Sequence, residues 1–87
     1  MNGRALVAWN LRRIRVQRGL SQERLAHDAD VDRSYVGGLE RQEENPTVDV
    51  LDRLASMLEV PLAEFFREPR KGAAPPKPLR GGRRSSR

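Results

Sequence analysis

Arg33 and Ser34 have the clearest capacity for specific chemistry, because they head a short segment predicted to be helical. An arginine guanidinium donates two parallel hydrogen bonds that match the O6 and N7 acceptors of a guanine base, whereas a serine hydroxyl bonds bases permissively. The alternative for Arg33 is a solvated side chain that pairs with Asp30 or Asp32. Either interpretation involves hydrogen bonding and charge, and no covalent step is implied.

Residues suited to catalysis are few. The single histidine, His27, is predicted on a polar helix face beside Asp28, and neither a cysteine nor a metal-spaced set of carboxylates accompanies it. Ser21 is explained by helix capping, and no glycine-rich phosphate loop follows a predicted strand. We therefore expect no enzymatic activity, no metal and no other cofactor.

Residues 20–41 are predicted to form two short amphipathic helices joined by a tight turn. Ser21 caps the first helix and Asp32 caps the second. Because only two residues separate Ala29 from Asp32, the helices must cross at a steep angle over a shared core, as in helix-turn-helix units. This arrangement leaves the start of the second helix, at Arg33, facing outward. The apolar residues are Leu25, Ala26 and Ala29 on the first helix and Val36 and Leu39 on the second.

Three further helices complete the predicted all-α fold, which has five helices and no strand. The first helix runs from about Arg4 to Arg18 and ends at Gly19. The fourth helix is capped by Thr47, and a short closing helix begins at Pro61. Their apolar residues are Leu6, Val7, Leu11 and Ile14 in the first helix, Leu51, Leu54, Ala55 and Leu58 in the fourth, and Leu62, Phe65 and Phe66 in the last.

The charge of the chain is divided unevenly along its length. Residues 1–66 contain nine arginines and eleven carboxylates, a balance of −2, whereas residues 67–87 contain eight lysines or arginines and one acid, a balance of +7. Within the first part, residues 1–22 hold five arginines and no acid, so positive potential is expected at that end. We therefore predict one domain, residues 1–66, followed by a basic tail, residues 67–87.

The tail is rich in Pro, Gly, Ser, Lys and Arg, and Leu79 is its only large apolar residue. Such a composition offers nothing to offset the entropy of ordering, so the tail is predicted to be disordered. Its APPKP stretch is either a polyproline ligand or, as is more usual, a plain linker. The absence of cysteine and of any long apolar run predicts a soluble, cytoplasmic protein without membrane contact.

Several stretches in order resemble the phage repressor and Cro type of helix-turn-helix regulators, the XRE family. They are LSQERLA, the helix start VDRSYV, GLER and NPTVDVLDRLASMLEV, within residues 5–66. Small controller proteins of restriction-modification systems in this family share a helix of the form YxxGxER. The resemblance implies a compact repressor-like domain that binds double-stranded DNA with helix 33–40 in the major groove. Asp30 and Gln42 depart from glycines common at the corresponding turns, which leaves the turn conformations open.

The N-terminal residues of a helix in the major groove lie closest to the base edges, so Arg33 and Ser34 are predicted to read sequence. The family places a glutamine such as Gln22 against the phosphate backbone or the recognition helix. Arg41 and Thr47 are suited to phosphates, the latter together with the N–H groups at a helix start. These contacts would set the register of the protein on DNA.

Three other residues of the recognition helix have two interpretations each. Tyr35 either packs under the turn or places its hydroxyl at the groove edge. Gly37 and Gly38 allow close approach of the backbone to DNA, or else reflect weak selection or close packing of helices, and each glycine costs roughly 1 kcal/mol relative to alanine. Arg15 and Glu40 match a family pair that bridges the first helix to the end of the recognition helix, which is a structural role.

A single recognition helix reads too few base pairs for selectivity, so we expect a two-fold dimer on a palindromic operator. The candidate interface is the apolar surface formed by Val50, Met57, Val60 and part of the segment from Leu62 to Phe66, and enclosure of these residues in the core is the alternative. An antitoxin-like module that contacts another protein through the tail is the alternative function. The charge of the tail instead favours contact with phosphates. No small-molecule ligand is expected.

Overall fold

The computed structural model describes residues 1–75, and in this range it contains four α-helices, one 3₁₀ helix and no strand. The elements are α1 (Gly3–Gln17), α2 (Gln22–Ala29), α3 (Arg33–Glu40), α4 (Val48–Leu58) and the 3₁₀ helix (Leu62–Phe66). The predicted all-α fold and the order of its elements are confirmed, but the fifth element is not an α-helix. The predicted disorder of the tail falls mainly on residues 76–87, which lie outside the described part of the chain.

Side-chain caps explain where three of the four α-helices begin. The side chains of Asn2, Ser21 and Thr47 each accept a hydrogen bond from the backbone N–H group of the residue three positions later. The distances are 2.9, 3.0 and 3.1 Å respectively. The predicted caps at Ser21 and Thr47 are therefore confirmed. Asp32 occupies the N-cap position of α3, but its exposed carboxylate makes no capping hydrogen bond, so this prediction is wrong.

The turns after α2, α3 and α4 each contain a non-glycine residue in the left-handed region, namely Asp30, Gln42 and Glu59, with φ of 58°, 65° and 60°. Asp30 and Gln42 stand where the family resemblance implies glycines. Both turns nevertheless adopt the left-handed conformation that glycine favours. The turn between α2 and α3 is also held from α4, because Arg53 Nη1 donates to the carbonyl oxygens of Ala29 and Asp30, both at 3.2 Å.

The hydrophobic core lies where the four α-helices meet the 3₁₀ helix. Every apolar residue predicted for the four α-helices is buried. In the closing segment Phe65 is completely enclosed, whereas Leu62 is half-buried and Phe66 is 46% exposed. No helix within residues 1–75 has the length and apolar content needed to cross a membrane.

A buried asparagine, Asn10, fixes the end of the 3₁₀ helix against α1. Its Nδ2 donates to the carbonyl oxygens of Leu6 and Phe65 at 3.0 Å and of Arg67 at 2.8 Å. Its Oδ1 accepts from Nε and Nη2 of Arg13 at 3.2 and 3.0 Å. Both polar ends of the amide are therefore paired, and the chain leaves the domain from a fixed point on α1.

We expect Asn10→Ala to lower the free energy of unfolding by about 1–3 kcal/mol, because it leaves the buried carbonyl of Phe65 without its donor. Chemical denaturation followed by the fluorescence of Trp9, the single tryptophan, measures this loss. The matched control is Asn45→Ala, at an exposed position, where the change should stay within about 0.5 kcal/mol. Equal losses in the two variants would contradict the anchoring role of Asn10.

Candidate nucleic-acid interface

One face of α3 packs against the core and the other faces outward. Val36 and Leu39, at 0% and 2% exposed, lie on the buried face. With about 3.6 residues per turn, the opposite face carries Ser34, Gly37, Gly38 and Arg41, and Arg33 lies at its edge in the first turn. The structure thus brings five of the eight predicted DNA-contacting residues onto or beside one helix face.

Arg33 and Ser34 are exposed at the start of this face. Within residues 1–75, neither Asp30 nor Asp32 lies within ion-pairing distance of Arg33. The alternative interpretation, in which an aspartate neutralises Arg33, is therefore not found. Its five N–H donors remain available to an external acceptor.

A buried ion pair joins the end of α3 to α1. Glu40, the last residue of α3, accepts from Nε of Arg15 at 2.7 Å and from Nη2 at 3.0 Å, and the two side chains are 4% and 9% exposed. The predicted bridge between the first helix and the recognition helix is confirmed. Arg15 also donates from Nη1 to the carbonyl oxygen of Leu20 at 2.8 Å, just before α2.

Gln22 belongs to the same network. Its Nε2 donates to Oε1 of Glu40 at 3.1 Å, so this glutamine contacts the recognition helix, which is one of the two positions that the family resemblance implies. Its Oε1 lies 3.5 Å from the point where a Cβ on Gly37 would stand. Gln22 therefore lies at the edge of the outward face and braces α2 against α3.

Gly37 and Gly38 are buried although they lie on the outward face, because side chains of the same chain cover them. A Cβ on Gly37 would stand 3.0 Å from Nη1 of Arg41. A Cβ on Gly38 would stand 2.8 Å from Cγ and 3.1 Å from Oε2 of Glu44. The predicted close packing of helices is not what surrounds these glycines, because side chains of Arg41 and Glu44 lie against them. The packing partners are side chains and not another helix backbone.

Arg41 lies back along α3 and does not extend from its end. Its Nε pairs with Oε1 of Glu43 at 3.1 Å, and both side chains are well exposed. Thr47 is also exposed, but its hydroxyl oxygen already caps α4. The neighbouring backbone N–H groups at the start of α4 are then the better candidates for contact with a phosphate.

Tyr35 is half-buried and packs against the core, as the packing interpretation predicts. Burial raises the pKa of the Tyr35 hydroxyl, and the negative charge of Glu44 raises this pKa further. Glu44 is a residue that the sequence reasoning missed. No local pattern in the sequence indicates that this side chain lies against Gly38.

The positive potential expected from residues 1–22 is reduced by internal pairing. Arg13 forms an ion pair with Glu64 at 3.2 Å, and Arg15 is paired with Glu40. Arg18 donates from Nη2 to the carbonyl oxygen of Glu59 at 3.3 Å. Two of the five arginines in residues 1–22 are therefore paired with carboxylates, whereas Arg18 bonds a neutral carbonyl and keeps its charge.

The comparison with known families gives one clear match. The model of the helix-turn-helix family HTH_3 matches residues 11–65. A hypothetical transcription factor from Neisseria meningitidis is 35% identical over 68 residues, which are 78% of this chain and 64% of that protein. The crystal structure of a hypothetical transcription factor from Neisseria, NHTF, has a TM-score of 0.76 at 35% identity and covers 78% of both chains.

Restriction-modification controller proteins are also similar in structure. C.AhdI from Aeromonas hydrophila is 40% identical, with a TM-score of 0.70 over 72% of this chain and 96% of that chain. C.Esp1396I, crystallised as a tetramer with its natural 35 base-pair operator, is 33% identical, with a TM-score of 0.69 over 76% of this chain and 87% of that chain. The curated relatives include longer proteins, and this chain spans 33% of the Escherichia coli regulator SutR.

We expect Glu40→Ala to destabilise the protein by about 3–5 kcal/mol, because it leaves the buried guanidinium of Arg15 without its partner. The comparison variant is Glu43→Ala, which breaks the exposed pair with Arg41 and should cost at most about 1 kcal/mol. Thermal unfolding of both variants measures the difference. An unchanged melting temperature for Glu40→Ala would show that the pair does not stabilise the fold.

Proposed function

This chain belongs to the helix-turn-helix family HTH_3, and on that premise we propose that it is a transcription regulator that binds double-stranded DNA at specific sequences. The observation that carries this proposal is the outward face of α3. Arg33 and Ser34 are exposed at its start, and the buried pair of Arg15 and Glu40 fixes the rotation of the helix behind them. A helix held in this way can present the same donors to every binding site.

In the proposed complex α3 lies in the major groove with its N-terminus toward the base edges. Arg33 donates two parallel bonds to a guanine, a contact that contributes about 1–3 kcal/mol of discrimination. Ser34 accepts or donates according to the base opposite it. Tyr35 supports these two residues from below through its packing on the core.

Contacts with phosphates position the domain and carry no sequence information of their own. Gln22, Arg41 and the start of α4 at Thr47 surround the outward face of α3 and are suited to this role. We also assign such a role to the tail, residues 67–87, which has a balance of +7 against −2 for residues 1–66. Attraction to DNA irrespective of sequence therefore rests mainly on the tail.

We further propose that two copies form a two-fold dimer on a palindromic operator, with half-sites about 34–36 Å apart. Met57 and Phe66 are 43% and 46% exposed and provide the apolar surface for this contact. Val50, Val60 and Leu62 are half-buried beside the core and form its margin. Phe65 is completely enclosed, so it belongs to the core and not to the interface.

We expect Arg33→Ala to weaken binding to the preferred site about 5-fold to 150-fold, which corresponds to the 1–3 kcal/mol of a bidentate contact. The preferred DNA site is first selected from randomised duplexes with the purified wild-type chain. Fluorescence anisotropy then gives the dissociation constants of each variant for this site and for duplexes of other sequence. Arg24→Ala removes the same charge from an exposed position on α2 that pairs with Asp28, and it is the matched control. The Arg33→Ala variant should lose its preference for guanine at one base pair of each half-site and keep its preferences at the other positions. Equal weakening by the two variants, or equal weakening on all sequences, would contradict base reading by Arg33.

The dimer is tested by the double variant Met57→Lys and Phe66→Lys, which places charge on the apolar surface. We expect wild-type protein to sediment with twice the mass of one chain and the double variant to sediment as a monomer. Val48→Lys, at a residue that is 67% exposed, controls for added charge and should remain dimeric. A double variant that is still dimeric would refute this interface, and truncation before Phe65 is unsuitable because it removes a core residue.

A further inference from the structure

The side chain of Glu44 occupies space that Gly38 leaves open on the outward face of α3. Its Cγ lies 2.8 Å and its Oε2 3.1 Å from the place of a Cβ on Gly38. Real Cβ atoms do not approach another atom so closely, so any larger residue at position 38 would displace Glu44. The glutamate side chain can therefore occupy this place only because position 38 is a glycine.

The carboxylate of Glu44 differs from its acidic neighbours in lacking a donor. Glu40 accepts from Arg15 and Gln22, and Glu43 accepts from Arg41. In the described part of the chain no hydrogen bond or ion pair satisfies Glu44, although the residue is half-buried. Its carboxylate oxygens are nevertheless not fully buried, so they are free to accept a hydrogen bond from a donor outside the chain.

The location of Glu44 restricts the kind of donor. The carboxylate lies on the same face of α3 as Ser34 and the guanidinium of Arg41, and this face is the one proposed to enter the major groove. Phosphate oxygens are acceptors and would repel it. Among base edges, cytosine presents an amino donor alone, adenine presents an amino donor beside the N7 acceptor, and guanine presents two acceptors.

We propose that Glu44 is a specificity-determining residue that accepts a hydrogen bond from the N4 amino group of cytosine in the major groove. This inference rests on the proposed function, because it assumes that α3 faces the bases. Arg33 and Ser34 read the bases at the start of α3, and Glu44 occupies the place of the side chain that Gly38 does not provide on the second turn. The carboxylate also disfavours guanine at the same position through repulsion of its acceptors.

The test compares full-length wild type with Glu44→Gln in selections from randomised duplexes, followed by dissociation constants on duplexes that differ at single positions. We expect Glu44→Gln to lower the preference for cytosine over guanine at one position of each half-site by at least fivefold. Glu43→Gln removes the same charge from the adjacent exposed residue, and its base preferences should match those of the wild type. Gly38→Ala should reproduce the base effect of Glu44→Gln, because the added methyl group displaces the carboxylate.

The outcomes separate this inference from the proposed function. If the wild type selects a sequence but Glu44→Gln selects the same one with the same preferences, the role of Glu44 is overturned and the proposed function stands. A uniform gain in affinity for all duplexes, equal to that of Glu43→Gln, would also overturn it, since that is the effect of reduced repulsion alone. A wild-type chain that selects no sequence would overturn both proposals.

Discussion

The ion pair between Arg15 and Glu40 is the interaction on which the outward face of α3 depends. Burial of Val36 and Leu39 selects the face of α3 that packs on the core, but the hydrophobic effect itself is non-directional and leaves small rotations and shifts of the helix open. The two parallel hydrogen bonds of the pair are directional, and they join the end of α3 to the middle of the domain. Removing these charges from water is costly, and good bidentate geometry is what offsets that cost. The ion pair therefore holds in place the outward face that apolar burial selects.

Much of the fold follows from local sequence patterns. Apolar residues at helical spacing predict the four α-helices and nearly all of the core, and capping residues such as Ser21 and Thr47 set two of the helix starts. Residues 25 positions apart, such as Arg15 and Glu40, give no local signal of their pairing. This pairing could be predicted only because the family resemblance implies it. These features depend either on neighbouring residues or on a pattern shared by related chains.

Other features could not be predicted because their partners are distant in sequence or lack periodicity. Asn10 resembles a surface residue in its helix, yet its acceptors include carbonyl groups 55 and 57 residues away. The arginines of residues 1–22 suggested a positive surface, but carboxylates distant in sequence pair with Arg13 and Arg15. Glu44 lies in a connecting segment, where no repeat indicates the direction of a side chain. Asp32 shows the limit of local rules, since a suitable residue at the right position does not cap its helix.

Gly37 and Gly38 also determine how this chain can change during evolution. Since their space is filled by Arg41 and Glu44, the surface of the second turn of α3 is encoded by residues outside that turn. Substitutions at positions 41 and 44 alter this surface without disturbing Val36, Leu39 or the rest of the core. We therefore expect positions 38 and 44 to be epistatic, because a side chain at position 38 requires the side chain at position 44 to become smaller or to turn away. Related chains with larger residues at position 38 should therefore show compensating changes at position 44, and the two positions should vary together.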